Sequence, residues 1–322
     1  MTFSAARDAL EGLALGDAFG ERWFPLFRKP KLAFTQIRAR QVPLESPWHW
    51  TDDTAMALSV YGILTAYEAV HQERLAQAFG ATYLADAYRG YGNGMSLLLP
   101  ELAERPSSWR EESRKLFGGQ GSLGNGAAMR VAPLGAWFHA DLDEAAEQAA
   151  LSAEVTHAHP EGVAGAVAVA LAAALAARGR TGAGARPGRA EAPAGAALLA
   201  AVAGRTPAGP VREGLERAAE LPADTEPWRA ADLLGNGQKV RAGDTVPFAL
   251  WSAAHHLDSL TDALWTTAEG LGDVDTTCAV TGGVVAARTG VGGPAAPWLA
   301  RREPLPDWVA RAEDESPARH GS

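Results

Sequence analysis

The sequence predicts an all-α protein that folds as a single compact multi-helix domain. Alanine and leucine are abundant, alternating strand patterns are scarce, and apolar residues recur at helical spacing. Helices joined by loops with little strand are typical of the all-α class. The chain has 322 residues, of which 47% are hydrophobic and 21% charged, as in an ordinary globular protein. We therefore expect one domain over residues 1–322.

The first predicted helix spans residues 4–20 and carries an unusual acid. Leu10, Leu13, Ala14 and Asp17 fall on one face, which places a carboxylate in line with an apolar stripe. An unpaired buried charge is very costly, so this aspartate calls for a specific partner. The other predicted helices, in order, span residues 54–71, 77–88, 142–154, 160–177, 246–256 and 277–289.

Three segments lack helical periodicity. Residues 177–195 are rich in Gly, Ala, Arg and Pro, and they predict a flexible surface insertion. Residues 204–214 form a second loose patch, and the polar tail from about 311 is expected to fray. None of these segments separates two self-sufficient cores.

Composition excludes several classes of protein. The net charge of −9 gives no basic surplus for general nucleic-acid binding. The longest apolar run, residues 163–177, is shorter than the roughly 20 residues of a membrane span, so we expect a core helix and no membrane association. The N-terminus has no signal-peptide pattern, and the single cysteine, Cys278, precludes an internal disulfide. We expect a cytoplasmic monomer.

Two acids stand at the start of the predicted helix that contains "WTDDTAMAL". Thr51 suits the N-cap position, and carboxylates favour the positive end of a helix, so simple capping is one interpretation. However, Asp53 falls on the same face as Met56 and Val60, which directs its carboxylate toward the core. Capping alone does not explain an inward acid.

A matching pair of acids precedes the last predicted helix, in "GDVDTTCAV". If the two helix starts meet, Asp52, Asp53, Asp273 and Asp275 form a cage of oxygen ligands, to which Thr51 and Thr276 add hydroxyls. Such a charge requires cations, and hard divalent metals such as Mg²⁺ or Mn²⁺ prefer oxygen ligands. Zinc sites more usually contain Cys or His, and one cysteine cannot form a thiolate site.

Two further motifs could contact a ligand. The glycine-rich stretch "GSLGNGAAMRVAPLG", residues 121–135, could face a diphosphate with its backbone N–H groups, although a simple turn needs no ligand. In "THAHPEG", Pro160 suits the first position of a helix, and His157 or His159 could act as a cap or as a core partner.

Five motifs together resemble the ADP-ribosylglycohydrolase family, which includes dinitrogenase reductase-activating glycohydrolases. They occur in the family's order and span nearly the whole chain: "GLALGDAFG" (12–20), "WTDDTAMAL" (50–58), "GNGAAMRVAPLG" (124–135), "THAHPEG" (156–162) and "GDVDTTCAVTGGVVAARTG" (272–290). The resemblance implies an all-α fold of that type, two Mg²⁺ or Mn²⁺ ions, and hydrolysis at C1″ of ADP-ribosylated substrates.

The resemblance also implies roles for individual residues. The implied metal ligands are Thr51, Asp52, Asp53, Asp273, Asp275 and Thr276. The implied ligand-side residues are Asp17, Gly124, Asn125, Gly126, Ala127, Ala128, Met129 and His157. The candidate catalytic carboxylates are Glu21, Asp53 and Asp275.

The sequence departs from the family pattern at one position. Many members carry a glutamate seven residues after the aspartate of the "GDA" motif, where this chain has Phe24. Glu21 follows Asp17 by one helical turn, so it could reach the same cleft and act in proton transfer. The alternative is a solvated glutamate beside Arg22.

Other functions stay open at this stage. The chain could hydrolyse another ADP-ribose derivative, such as an O-acetyl ester or a free nucleotide derivative, or it could bind ADP-ribose without catalysis. Both acid pairs are present, which favours an enzyme. The sequence does not select between arginine, serine, nucleobase and small-molecule acceptors, nor between protein and small-molecule substrates.

Overall fold

The protein is described here by a computed structural model that covers residues 2–180 and 193–314. Within these residues the chain is helical and contains no strand, which confirms the predicted all-α class. The α-helices are α1 (Thr2–Glu21), α2 (Pro30–Arg38), α3 (Asp52–Tyr67), α4 (Gln72–Ala85), α5 (Asn93–Glu104), α6 (Trp109–Gly119), α7 (Gly126–Met129), α8 (Ala132–Trp137), α9 (Leu142–Glu154), α10 (Pro160–Arg178), α11 (Gly195–Ala203), α12 (Pro210–Glu220), α13 (Pro227–Leu234), α14 (Ala242–His255), α15 (Leu260–Ala268), α16 (Val274–Thr289), α17 (Ala296–Leu299) and α18 (Trp308–Asp314). Short 3₁₀ helices span Phe24–Arg28, Pro106–Ser108 and Gly293–Ala295.

Each of the seven predicted helices corresponds to an observed one. The prediction for residues 142–154 matches α9 at both ends, and that for 160–177 falls one residue short of the end of α10. The start of α4 was placed too late and its end too far, since the helix stops before Asp86 and Tyr88 is 99% exposed in the following loop.

The predicted loose segments have different outcomes. The loop expected over 204–214 was wrong in its second half, because α12 begins at Pro210 and buries Val211 and Leu215. Proline is well tolerated at the first position of a helix. Of the predicted insertion, residues 181–192 lie outside the described part of the chain, and α18 extends the start of the predicted tail as a helix to Asp314.

Helices α1 and α16 pack in unusually close contact along a row of glycines. Gly12, Gly16 and Gly20 lie one turn apart on the face of α1 that meets α16. A Cβ atom at Gly16 would lie 2.0 Å from the carbonyl oxygen of Cys278, and one at Gly20 would lie 2.5 Å from Cα of Asp275. Only glycine permits this approach, which brings the C-terminal end of α1 against the acidic start of α16.

A cluster of aromatic rings fixes the same end of α1. The ring of Phe19 stacks on Trp298 and meets Trp265 edge-on, each at a centroid distance of 4.9 Å. Trp23 and Trp48 complete the cluster and are fully buried. Such aromatic pairs add stability beyond burial of their area, so the end of α1 is rigidly held.

Helix α10 forms the middle of the core. It is the one described helix that is long and apolar enough to cross a membrane, and 83% of the apolar window is buried inside the protein. This burial agrees with the core helix predicted from its sequence. Helices α7, α8, α9, α14 and α16 pack around it.

Candidate active site

Asp17 ties α1 to the start of α3. Its carboxylate is fully buried and accepts hydrogen bonds from the backbone N–H of Thr51 (2.9 Å to Oδ2), the backbone N–H of Thr54 (3.1 Å) and the hydroxyl of Thr54. These donors are the partners that the sequence required for a buried acid. Asp17 therefore satisfies the free N–H groups at the N-terminus of α3 and fixes the position of that helix.

The start of α3 places two acids side by side at the site. Thr51 is the N-cap, as predicted, and its hydroxyl accepts a hydrogen bond from Asp53 N at 3.3 Å. The backbone N–H of Asp52 donates to the carbonyl of Arg89 at 2.7 Å. Asp53 points inward and is 2% exposed, and its Oδ2 is buried without a hydrogen-bond partner.

The start of α16 supplies the second pair of acids. Asp273 is the N-cap residue, and Thr276, whose side chain is buried, lies in the first turn of the helix. Asp275 is the second residue of the helix, and its carboxylate accepts from the backbone N–H of Thr276 at 2.8 Å. Both carboxylates and the Thr276 hydroxyl group therefore gather at this helix end, as the sequence predicted.

Asp17 and the two pairs of acids at the helix starts form a group of five carboxylates whose pKa values are raised. Burial, and then repulsion from neighbouring acids, raises the pKa of Asp52 to about 7 and that of Asp53 and Asp275 well above the ordinary value. Burial raises the pKa of Asp17 to about 6 against the effect of its hydrogen bonds, and it also raises the pKa of Asp273. The cluster cannot hold all its charges at neutral pH unless protons or cations compensate them.

The donor set fits a hard divalent cation in its chemistry. It contains only carboxylate and hydroxyl oxygens, and the unpartnered Oδ2 of Asp53 is a buried atom that needs a partner. In the described part of the chain, however, no three Asp, Glu, His or Cys side chains converge as a ready-made metal site. The two-ion centre implied by the resemblance therefore stays a prediction.

The glycine loop passes directly over His157. A Cβ atom at Gly126 would lie 2.8 Å from Cε1 of His157, and one at Gly124 would lie 3.4 Å from its Nε2. Glycine at position 126 is therefore required by the ring beneath it. An isolated antiparallel β-bridge between the backbones of Gly124 and Arg241 also holds the loop. His157 is buried and lies against the loop, while its implied place in a ligand cleft stays a prediction.

Parts of the glycine loop are already occupied by protein contacts. The side chains of Ala127, Ala128 and Met129 are buried, so only their backbone could meet a ligand. Of these backbone groups, the N–H groups of Ala128 and Met129 donate to the carbonyl of Asn125. Fewer groups of the glycine loop are therefore free to contact a ligand than the sequence motif indicates.

Asn125 connects the glycine loop to the acid cluster. Its Nδ2 donates to Oδ2 of Asp273 at 2.7 Å and to the Thr245 hydroxyl at 3.0 Å. Sequence reasoning assigned Asn125 to the ligand and missed both the link to Asp273 and Thr245 itself. A second Gly-Asn-Gly sequence also lies at the site, because Asn236 accepts from the backbone N–H of Asp273 at 3.0 Å. That repeated tripeptide could have been noticed.

A buried arginine supports the loop from below and was also missed. Arg130 is fully buried, and its guanidinium donates to the carbonyls of Gly126 (3.2 Å) and Ser152 (2.9 Å) and to the Thr156 hydroxyl (2.9 Å). It also lies 4.4 Å from the ring centroid of Phe79. Burial lowers the pKa of Arg130 to about 9, and the nearby Asp52 opposes that effect.

Glu21 lies at the C-terminal end of α1, near the acids. It is half-buried, and burial followed by repulsion from Asp17 raises its pKa. It also acts on Asp275 as a neighbouring negative charge. The guanidinium of Arg22 pairs with Glu45, and its charge partly opposes the rise in the pKa of Glu21; partial burial distinguishes Glu21 from the fully solvated glutamate of the alternative. Phe24 begins the following 3₁₀ helix.

Comparisons with known proteins agree with these motifs. A sequence profile described as ADP-ribosylglycohydrolase matches residues 2–320. Similar curated proteins are called ADP-ribosylhydrolase ARH3. The bovine protein is 39% identical over 119 residues, which are 37% of this chain and 32% of the relative. The human protein is 38% identical over 120 residues, or 37% and 33% of the two chains. The Xenopus tropicalis protein is 33% identical over 169 residues, or 51% and 48%.

These matches cover only part of each relative, about a third of the bovine and human proteins and about half of the frog protein. The fold is shared more widely. A solved structure described as an ADP-ribosylglycohydrolase-related protein complex superposes with a TM-score of 0.58 at 21% identity, over 97% of this chain and 95% of that chain.

Proposed function

Because the chain belongs to the ADP-ribosylglycohydrolase family, we propose that it hydrolyses the C1″ glycosidic bond of ADP-ribosylated substrates and releases ADP-ribose. The observation that carries the proposal is the meeting of two acidic helix starts beside a glycine loop. Four carboxylates from α3 and α16 interact there, and Asn125 connects one of them to the loop. A structural role alone gives no reason to bury so much negative charge.

We infer that the cluster holds two Mg²⁺ or Mn²⁺ ions. The residues that would bind them are Thr51, Asp52, Asp53, Asp273, Asp275 and Thr276. Support comes from the oxygen-only donors, the raised pKa values and the unpartnered Asp53 oxygen. When bound, the ions would supply positive charge that neutralises the acids and orients the ribose hydroxyls.

The carboxylates at the site suit the proton transfers of glycoside cleavage. That reaction passes through an oxocarbenium-like state, in which a carboxylate takes a proton from the attacking water or gives one to the leaving group. Glu21, Asp53 and Asp275 are the candidates for these transfers. Burial raises the pKa of each above its ordinary value, and repulsion from neighbouring acids adds to the effect.

The experiment that tests the function is a panel of ADP-ribosylated acceptors. It contains arginine-linked, serine-linked and nucleobase-linked ADP-ribose together with an O-acetyl ester, each assayed with Mg²⁺, with Mn²⁺ and with chelator. We expect release of ADP-ribose from at least one glycosidic linkage, dependent on metal and lost in Asp275→Asn. Turnover of the ester alone would replace the proposed reaction with ester hydrolysis. No turnover of any acceptor would contradict the enzyme assignment.

A further inference from the structure

The two ring nitrogens of His157 have different surroundings. Nδ1 lies 2.8 Å from Oγ1 of Thr156. Nε2 faces the glycine loop, 2.9 Å from the position that a Cβ atom at Gly126 would occupy. Within residues 2–180 and 193–314, the ring hydrogen bond of His157 is the one at Nδ1, and none is made by Nε2. It is the nitrogen that is left for a ligand lying along the loop.

Arg130 determines the direction of the Thr156 hydroxyl. The guanidinium donates to Thr156 Oγ1 at 2.9 Å, and because it carries no acceptor, the threonine oxygen must accept. The hydroxyl hydrogen then needs an acceptor of its own. Of the polar contacts that Thr156 Oγ1 makes in the described part of the chain, only His157 Nδ1 can accept it. Nδ1 is therefore unprotonated.

An imidazole with a free Nδ1 carries its proton on Nε2 in the neutral form. Burial, and then repulsion from Arg130, lowers the pKa of His157 to about 3, so the ring stays neutral at physiological pH. In the opposite tautomer Nδ1–H would become a second donor to Thr156 Oγ1, and the buried hydroxyl hydrogen would lose its acceptor. That tautomer would also turn the lone pair of Nε2 toward any ligand oxygen that lies along the loop.

We propose that Arg130 and Thr156 are positioning residues that fix His157 as the Nε2–H tautomer. The ring then offers a permanent hydrogen-bond donor to a diphosphate or ribose oxygen of the ligand. The donor role toward a ligand oxygen rests on the proposed function, whereas the tautomer is a property of the protein without ligand. Arg130 also holds the loop through the Gly126 carbonyl, so one buried cation orients both the loop and the donor beneath it.

The tautomer is measured by ¹⁵N NMR of histidine-labelled protein without ligand. We expect wild-type His157 to show a protonated Nε2 and an unprotonated Nδ1. Thr156→Val removes the hydroxyl at nearly constant shape and should yield a mixture of tautomers, whereas Thr156→Ser keeps the hydroxyl and should restore the wild-type pattern. Thr206→Val is the matched control, because Thr206 is equally buried and its hydroxyl donates to the carbonyl of Val202, near the end of α11.

Binding of ADP-ribose in the presence of Mg²⁺ gives the second readout. Because only the Nε2–H fraction of a mixture can donate, the Kd of Thr156→Val should rise by the inverse of that fraction, about twofold for an even mixture, with Thr156→Ser and Thr206→Val close to wild type. A wild-type ring protonated on Nδ1 overturns the proposal, even if the valine variant fails to fold. An unchanged tautomer in folded Thr156→Val also overturns it. If wild-type protein binds no ADP-ribose, the proposed donor role of His157 and the proposed function both fail. The NMR spectra of the free protein then decide the tautomer by themselves.

Discussion

Glu21 is the residue whose assignment matters most, because Phe24 occupies the position where many family members carry a glutamate. We predict that Glu21→Gln lowers kcat by about 10² to 10⁴, the usual contribution of a general acid or base. Stabilisation by metal should persist, since Glu21 is outside the proposed ligand set. Steady-state kinetics and thermal melts with Mg²⁺ measure the two effects separately.

The control for this change is Glu11→Gln on the same helix. Glu11 pairs with Arg302 at 2.8 Å, so its loss should reduce stability while kcat stays near the wild-type value. Wild-type turnover in Glu21→Gln would move the proton transfer to another group. Asp53 would then be the next candidate.

His157 should impose a pH dependence on stability. Its folded pKa of about 3 lies below the ordinary value of 6.5, so between these values the unfolded chain binds the extra proton. The stability that neutral His157 contributes to the folded state is complete above pH 6.5, and it is lost as the pH falls toward the folded pKa. We predict that the stability difference between wild type and His157→Gln shrinks by roughly 1 kcal/mol per pH unit from pH 6 to 4. Urea unfolding at several pH values measures the unfolding free energies of both proteins. A difference between them that does not change with pH would contradict the prediction.

Residue-level predictions succeeded where the local sequence sets the environment. Thr51 as N-cap and Asp53 as an inward acid both follow from helical spacing. The link from Asn125 to Asp273 and the contacts of Arg130 could not be predicted in this way. Those partners lie far apart in the chain, and only the packed structure brings a buried donor to its acceptor.

At the scale of elements, the contact between α1 and α16 depends on small residues. We predict that Gly16→Ala destabilises the protein by about 1–3 kcal/mol, because the new Cβ would lie 2.0 Å from a backbone oxygen of α16. Gly62→Ala in α3 is the control, since its Cβ would meet only Trp308 at an ordinary 3.6 Å. Removing that helical glycine should be neutral or stabilising by up to about 1 kcal/mol. Equal unfolding free energies for the two variants would contradict the prediction.

The starts of α3 and α16 should act as one catalytic unit. We predict that Asp275→Asn removes most of the turnover and that adding Asp53→Asn lowers it little further, since residues of one catalytic assembly are strongly non-additive. Single-turnover rates of both single variants and the double variant measure this. If the rate loss of the double variant equals the product of the two single losses, the two helix starts work independently.

Long helices were predicted more reliably than short ones. α9 and α10 carry enough turns for periodicity and caps to define their ends. Short helices such as α7 and α17 span a single turn, which is too little for a pattern to appear. The close approach of α1 and α16 was also beyond sequence reasoning, because glycines at helical spacing do not identify the partner helix.

At the scale of the molecule, the acid cluster should make stability depend on divalent ions. We predict that Mg²⁺ or Mn²⁺ raises the free energy of unfolding by about 2.7 kcal/mol at a hundredfold excess over Kd. Chelator should reverse the effect. A double variant, Asp53→Asn with Asp273→Asn, should respond much less, and a wild-type Tm indifferent to both ions would argue against the metal site.

The pairing of α1 with α16 has a consequence for biosynthesis. The two helices lie at opposite ends of the sequence, at Thr2–Glu21 and Val274–Thr289, so their contact closes a very long loop. Contacts of such separation form late, and a chain on the ribosome cannot make this one until most of its residues have emerged. A nascent chain that has not yet reached α16 lacks Asp273 and Asp275 and cannot assemble the acid cluster. Emergence of α16 therefore sets the earliest moment at which the acid cluster can form.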